Sequence, residues 1–152
     1  MSEQPVLTEE SKKVLTEARK EACRLGSAVT SEEHILLALL NDYCISRVFE
    51  AELGEDLSTL IHSIAELATR REKPVKKSYR GFGWYDSIRG AKSEDRFYRT
   101  GKIYPEHFLL AFLTDDRVGV FLRTYLDSCG VGVLLHKVRG GLEKSLRERV
   151  SS

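Results

Sequence analysis

The sequence has few of the features that would place a protein in a membrane or in a secretory pathway. No apolar stretch approaches the ~18 residues that a membrane-spanning helix needs, and Met1–Pro5 has neither the basic nor the apolar region of a secretory signal. Three of the 152 residues are cysteines, an odd number at spacings that match no motif, which favours a reducing compartment. We therefore expect a globular, cytoplasmic protein.

Motifs of catalysis and of metal binding are equally scarce. No serine or cysteine lies in a recognisable nucleophile motif, and there is no G-x-x-x-x-G-K-[ST] phosphate loop. The residues that could ligate zinc lack the spacing of zinc ligands: Cys23, His34, Cys44 and His62. The sequence predicts no catalytic residue, no metal site and no cofactor, and we do not expect an enzyme.

The most informative feature that is present is an octapeptide that occurs twice. Residues 33–40 read Glu-His-Ile-Leu-Leu-Ala-Leu-Leu, and residues 106–113 read Glu-His-Phe-Leu-Leu-Ala-Phe-Leu. Six of the eight positions are identical, and the other two exchange one apolar residue for another. Because chance seldom produces such a match in a short chain, the sequence predicts one supersecondary unit that is used twice.

The spacing of apolar residues on both sides of the octapeptides predicts helices. Helices are expected over residues 7–25, 31–40, 45–53, 57–68, 84–98, 105–113, 118–126 and 133–146. Gly90 is expected to interrupt the fifth helix, and no segment alternates with period two for long enough to predict a strand. The prediction is an all-α fold of about eight helices in one domain. It consists of a repeat at 7–69, a basic linker at 70–78 and a divergent repeat at 79–147.

The two copies of the octapeptide locate the helix starts. Pro105 suits the first position of a helix, so Tyr104 and, by register, Ser31 are expected to be N-caps, with Glu106 and Glu33 at the second helical positions. Two interpretations stay open for these acids. They either only stabilise the positive end of the helix dipole, by roughly 0.3–1 kcal/mol each, or are exposed acids that are available to a cationic ligand.

Charge is distributed unevenly along the chain. Residues 1–72 carry eight Lys and Arg against fourteen Asp and Glu, a net charge of −6, whereas residues 73–152 carry sixteen against nine, a net charge of +7. The halves could attract one another within the molecule, or they could present an acidic and a basic pole to partners.

Residues 79–85, Tyr-Arg-Gly-Phe-Gly-Trp-Tyr, combine aromatic side chains with an arginine and two glycines. Such a composition suits base stacking and phosphate contacts, but aromatic residues also pack helices and anchor protein interfaces. We favour a packing or hinge role and identify four candidate interface aromatics: Tyr79, Phe82, Trp84 and Tyr85. Nucleic-acid binding through the basic half is a more remote alternative.

Three segments together resemble a known family. They are Arg-Leu-Gly at 24–26, the eleven residues Thr-Ser-Glu-Glu-His-Ile-Leu-Leu-Ala-Leu-Leu at 30–40, and Leu-Gly-Glu-Asp-Leu at 53–57. This order resembles the N-terminal domain of Clp-type AAA+ unfoldases, a tandem repeat of four-helix motifs. The resemblance implies a non-enzymatic module that docks substrates or adaptor proteins for an ATPase, in the bacterial cytosol or the plastid stroma. A free-standing regulator that binds the Clp protease core or competes for adaptors is the alternative.

The resemblance also implies where a ligand would bind. Some members of the family bind phosphoarginine with a Thr at the start of each repeat's first helix and with the Glu before the conserved His. Thr8 and Glu33 match these two positions and are 25 residues apart, whereas in the second repeat Glu106 is preceded 25 residues earlier by Gly81. The resemblance thus implies a binding site for substrates or adaptors at Thr8 and Glu33, with Glu106 as a weaker second candidate.

Overall fold

The computed structural model of the chain describes residues 6–69, 74–114, 120–130 and 133–151. Within these ranges it contains eight helices, which confirms the all-α prediction. The first four are α1 (Glu9–Arg24), α2 (Glu32–Leu40), α3 (Tyr43–Leu53) and α4 (Asp56–Ala68). The second four are α5 (Phe82–Tyr98), α6 (Pro105–Thr114), α7 (Val120–Gly130) and α8 (Val133–Val150).

Local sequence signals explain the ends of several helices. Thr8 is the N-cap of α1, and its side chain accepts a hydrogen bond from the backbone N–H of Ser11, one of the donors that a helix start leaves unpaired. Pro105 is the first residue of α6, as expected. Gly54 ends α3 with a φ of 56°, a backbone conformation that glycine adopts at little cost.

Four strands of two residues each were not expected from the sequence. They are β1 (Val6–Leu7), β2 (Val29–Thr30), β3 (Tyr79–Arg80) and β4 (Lys102–Ile103). β1 pairs with β4 and β2 pairs with β3, both in parallel. The expectation of no strand was wrong because two-residue segments are too short to show alternation, and their partners lie far away in the sequence.

The octapeptide helices α2 and α6 lie at the centre of the hydrophobic core. Their apolar residues are almost fully buried, and they pack in one cluster with residues from the other helices, such as Phe49, Leu60, Trp84 and Leu142. This burial on all sides agrees with a helix that is apolar around its whole circumference.

Gly90 does not interrupt α5, which is continuous from Phe82 to Tyr98. A Cβ atom at Gly90 would lie 2.9 Å from the Cβ atom of Ala111 on α6. The glycine thus allows α5 and α6 to pack closely. The expected break in α5 was wrong, because glycine at this position permits close packing and does not end the helix.

The basic segment between the repeats is partly described. Residues 70–73 of the expected linker lie outside the described residues, whereas Val75 donates its backbone N–H to the carbonyl of Cys23 at 2.9 Å. Ser78 is buried, its hydroxyl bonds to that of Thr30 at 2.8 Å, and its carbonyl accepts from Arg19 at 3.0 Å. The end of this segment is therefore anchored on the first repeat.

None of the helices in the described ranges is long and apolar enough to cross a membrane.

Candidate functional site

The two short sheets bring helix starts together in pairs, and each pair takes one helix from each repeat. β1 leads into α1 and β4 leads into α6, so their pairing places these two starts side by side; we name this the α1–α6 junction. In the same way β2 and β3 place the starts of α2 and α5 side by side, at the α2–α5 junction. Helix starts present unpaired backbone N–H groups and a positive dipole end, so both junctions are candidate ligand sites.

Thr8 belongs to the α1–α6 junction. Its backbone N–H and its hydroxyl both lie 3.1 Å from the carbonyl oxygen of Ile103, which also accepts a hydrogen bond of 2.7 Å from the hydroxyl of Ser11. The carbonyl group of β4 is thus held by donors from the first turn of α1. Thr8 both caps its own helix and ties the first repeat to the second.

Glu106 lies at the same junction, as the second residue of α6, but it is fully buried. Its Oε2 atom accepts a hydrogen bond of 2.5 Å from Ser145 and one of 2.7 Å from the Nε of Arg149, both on α8. The expectation of an exposed acid at Glu106 was wrong. α8, the last helix, packs across the start of α6 and supplies a guanidinium to this carboxylate.

The same guanidinium reaches a second carboxylate. Nη2 of Arg149 donates to Oδ1 of Asp42, which also accepts from the backbone N–H groups of Cys44 and Ile45 as the N-cap of α3. Burial on its own would lower the pKa of Arg149, but Glu106 and Asp42 raise it above its ordinary value. The guanidinium therefore stays charged and links the end of α8 to the starts of α6 and α3.

The α2–α5 junction depends on two glycines. A Cβ atom at Gly81 would lie 2.4 Å from Cγ1 of Val29, and one at Gly83 would lie 1.7 Å from Oε2 of Glu32. A side chain at Gly81 would clash with Val29, and one at Gly83 would displace the Glu32 carboxylate and lie 2.9 Å from the Glu32 backbone nitrogen. This close approach explains why Gly81 stands where a match to the first repeat would require a threonine.

Glu33 lies at this junction beside Glu32 and, unlike Glu106, it is half-buried. In its surroundings the hydroxyl of Ser31 donates to Oε2 of Glu33, and the backbone N–H of Ser31 donates to Nδ1 of His34 at 3.0 Å. These bonds orient the carboxylate at the start of α2 without covering it. The neighbouring Glu32 is also half-buried, and burial raises the pKa of its carboxyl.

Exposed aromatic side chains surround the start of α5. Phe82, its first residue, is 92% exposed. Val29, Tyr79 and Tyr85 are also exposed, and the Val29 and Tyr79 backbones are paired across the sheet. We name these four residues the aromatic patch. Trp84 departs from the expectation of an interface residue, because its side chain is 4% exposed and belongs to the hydrophobic core.

Cations lie beside the aromatic patch. The Nζ of Lys77 is 5.2 Å from the centre of the Tyr79 ring, and the Cζ of Arg80 is 5.5 Å from that of the Trp84 ring. Both positions allow cation–π attraction. The α2–α5 junction therefore presents two acids, two cations, the backbone N–H groups of helix starts and an apolar patch.

The two octapeptide histidines accept hydrogen bonds from backbone N–H groups at the starts of α2 and α6. Nδ1 of His107 accepts from the backbone N–H of Tyr104 at 2.8 Å, as Nδ1 of His34 does from Ser31. Burial lowers the pKa of His107 to about 4, although the carboxylate of Asp95 acts in the opposite direction. His107 is therefore a neutral hydrogen-bond acceptor at pH 7, in agreement with a structural role.

The predicted site residues are divided between the two junctions. Thr8 lies with Glu106 at the α1–α6 junction, whereas Glu33 lies with Gly81 and the aromatic patch at the α2–α5 junction. Thr8 and Glu33, which were expected to form one site, therefore lie at different junctions. Sequence reasoning missed Arg149 and Asp42 altogether, because neither stands in a repeated motif and their contact spans 107 positions. No group of three or more potential metal ligands occurs in the described ranges.

Comparison with known proteins agrees with this architecture. The family model of the Clp repeat N-terminal domain matches residues 6–128. The chain belongs to this family. In Clp ATPases the Clp-N domain is a non-catalytic interaction domain, so this chain is an interaction module of the Clp chaperone system.

Two solved structures have the same fold. One is the Hsp104 N-terminal domain from Candida albicans, with 12% identity, a TM-score of 0.66 and coverage of 97% of this chain and 93% of that one. The other comes from structural investigations of a malarial protein secretion system, with 16% identity, a TM-score of 0.66 and coverage of 95% of both chains. No curated protein sequence matches the chain. The TM-scores and coverages show a shared fold, and at these identities the likeness extends to the fold alone.

Proposed function

We propose that this Clp-N domain docks adaptor or substrate proteins at the α2–α5 junction and has no catalytic activity of its own. The observation that carries the proposal is the combination of the half-buried acid Glu33 with the exposed aromatic patch. Exposed tyrosine and phenylalanine side chains are typical anchors of protein interfaces. A carboxylate beside such anchors adds a specific contact for a cationic group.

The chemistry of the junction suits phosphoarginine, the ligand that the family resemblance implies. Its guanidinium would pair with Glu33. Its phosphate would meet the guanidinium of Arg80 and, once the Glu32 side chain turns away from Gly83, the first backbone N–H groups of α5. Helix starts bind phosphate through free N–H groups and the helix dipole. The partner's neighbouring apolar residues would then cover Phe82 and Tyr79.

Calorimetric titration with a peptide that carries one phosphoarginine beside an aromatic residue tests the proposal. Glu33→Gln and Phe82→Ala should each weaken binding about tenfold or more, a loss of about 1.4 kcal/mol or more. Phe97→Ala is a matched control, because Phe97 is also on α5 and 75% exposed but lies at the other end of the helix. Binding that is unaffected by Glu33→Gln and Phe82→Ala would refute the proposal.

Salt dependence separates this function from nucleic-acid binding through the basic half. A complex that depends on apolar anchors should keep most of its affinity between 50 and 200 mM salt, whereas a binder that neutralises several phosphates loses about 10³-fold or more. A steep loss of affinity for a single-stranded oligonucleotide, together with no affinity for the peptide, would favour the alternative.

A further inference from the structure

Glu33 and Glu106, the equivalent acids of the two repeats, differ in what covers their carboxylates. Glu33 faces the surface, whereas Glu106 is covered by the last turn of α8 and paired with Arg149. The exposed fraction of the Arg149 side chain is 13%, and that of Asp42 is 16%. A side chain of the same molecule thus occupies the position at Glu106 that a ligand could reach at Glu33.

We propose that the Glu106–Asp42 pair is a guanidinium-binding site that the domain fills with its own Arg149, so that α8 closes the α1–α6 junction to external ligands. A guanidinium suits this place because it donates in two directions at once, from Nε to Glu106 and from Nη2 to Asp42. An ammonium group is a single point donor on a flexible stem and would not span both carboxylates in this way.

The carboxylate has capacity for a further donor. Oε1 of Glu106 is buried and accepts no hydrogen bond from the described residues, while Oε2 accepts two. A carboxylate can accept two parallel bonds from one guanidinium. Arg149 instead donates to Glu106 with one nitrogen and to Asp42 with another. It therefore fills the site but leaves Oε1 of Glu106 without a hydrogen bond from the described residues.

The two junctions therefore differ in whether an external ligand can reach them. The α2–α5 junction is open, and the α1–α6 junction opens only when the last turn of α8 moves away from α6 and α3. Any external guanidinium at Glu106 would have to compete with an intramolecular one, which has a high effective concentration. The predicted second site at Glu106 therefore exists as a closed site.

Thermal unfolding in methylguanidinium chloride tests the closed site directly, with methylammonium chloride at the same concentration as the reference. Arg149→Ala vacates the site. Its melting temperature in methylguanidinium, taken relative to that in methylammonium, should be higher than the same difference for wild type, because a ligand that binds the folded state offsets the general denaturing effect of guanidinium. Arg147→Ala should show the wild-type difference. Arg147 is a matched control, since it is exposed and lies in the same last turn of α8.

Two further variants keep the test decisive. Arg149→Ala/Glu106→Gln should lose the methylguanidinium effect, because it lacks the buried carboxylate. Asp42→Asn retains an acceptor for the cap of α3 but removes one of the two charges that hold Arg149, so it should show the methylguanidinium effect partially even if Arg149→Ala does not fold. A difference between the two salts that equals the wild-type difference, for both Arg149→Ala and Asp42→Asn, would overturn the proposal.

The number of peptide sites gives an independent readout. This readout rests on the proposed function only for its choice of ligand, the phosphoarginine peptide. Calorimetry should find one more site in Arg149→Ala than in wild type, whatever the wild-type number is. If the α2–α5 junction binds nothing, wild type has no site and Arg149→Ala has one. An equal number of sites in the two proteins would contradict a closed site at Glu106.

Discussion

Glu33 and Glu106 occupy the same position of the same octapeptide, yet Glu106 is fully buried against Arg149 whereas Glu33 remains half-exposed. Two nearly identical segments thus acquire different chemistry from what packs over them. Arg149 pairs with Glu106 and also with Asp42 of the first repeat, so the buried acid takes part in a contact between the repeats, whereas Glu33 remains partly accessible. The repeat in the sequence is therefore not matched by equal burial of its two acids.

The same substitution at the two acids should have very different costs. Glu106→Gln removes a buried charge that faces Arg149, and we expect it to lower the free energy of unfolding by roughly 2–4 kcal/mol. Glu33→Gln should cost under about 1 kcal/mol, since it loses mainly a favourable contact with a helix dipole. Chemical denaturation of the two variants beside wild type measures both values. Equal costs would contradict the burial of Glu106.

Thr8 should contribute to stability through its hydroxyl. Thr8→Ala removes the acceptor for the Ser11 N–H and a donor to Ile103, and we expect a loss of about 1 kcal/mol, within the usual range for an N-cap. Thr16→Ala is the control, because Thr16 is exposed in the interior of α1 and alanine is a better helix former. Denaturant titration should show destabilisation only for Thr8→Ala; a neutral result there would exclude a capping role.

Stability should fall as the pH is lowered from about 6.5 to about 4. The pKa of His107 is lowered from 6.5 to about 4 in the folded protein, so within this window the unfolded chain takes up a proton that the folded chain does not. Above pH 6.5 the histidine is neutral in both states and its contribution is complete. Melting temperatures recorded across this range measure the effect.

Carboxylates also titrate in part of that window, so a matched pair of variants isolates the histidine. His107→Asn keeps an acceptor near the position of Nδ1 and should show a shallower loss of stability between pH 6.5 and 4 than wild type. His136→Asn, at an exposed position of α8, should behave as wild type does. Identical pH profiles for all three proteins would show that His107 is not held neutral.

Two glycine-to-alanine substitutions in helices should have opposite signs. At Gly140 nothing lies within 4 Å of an added Cβ, so Gly140→Ala should stabilise α8 by about 0.5–1 kcal/mol. At Gly90 the added Cβ meets Ala111 at 2.9 Å, and the resulting overpacking should outweigh the gain in helix propensity by roughly 1–2 kcal/mol. Thermal or chemical unfolding gives both signs. Stabilisation by Gly90→Ala would mean that α5 and α6 are not closely packed.

The local features of the fold could be predicted because neighbouring residues determine them. Thr8 before two glutamates, and Pro105 before an apolar octapeptide, locate helix starts within a residue or two. The burial of α2 and α6 follows from their composition alone. The phosphoarginine site at Thr8 and Glu33 stays a prediction, and its two residues lie at different junctions.

Contacts between distant segments could not be predicted in this way. The pairing of β2 with β3 joins positions about fifty residues apart, and strands of two residues leave no periodic pattern. Gly81 and Gly90 are ambiguous in a sequence, since glycine can end a helix or permit close packing, and only the neighbours Val29 and Ala111 decide between the two.

By itself the sequence determined a duplicated all-α scaffold, the starts of its helices and the placement of one glutamate at the head of each octapeptide helix. Those properties depend on hydrophobic periodicity and on hydrogen bonds within a few residues, which act locally. Tertiary structure alone decided which glutamate stays accessible. Burial and charge pairing depend on which distant side chain, here Arg149, folds back onto the carboxylate.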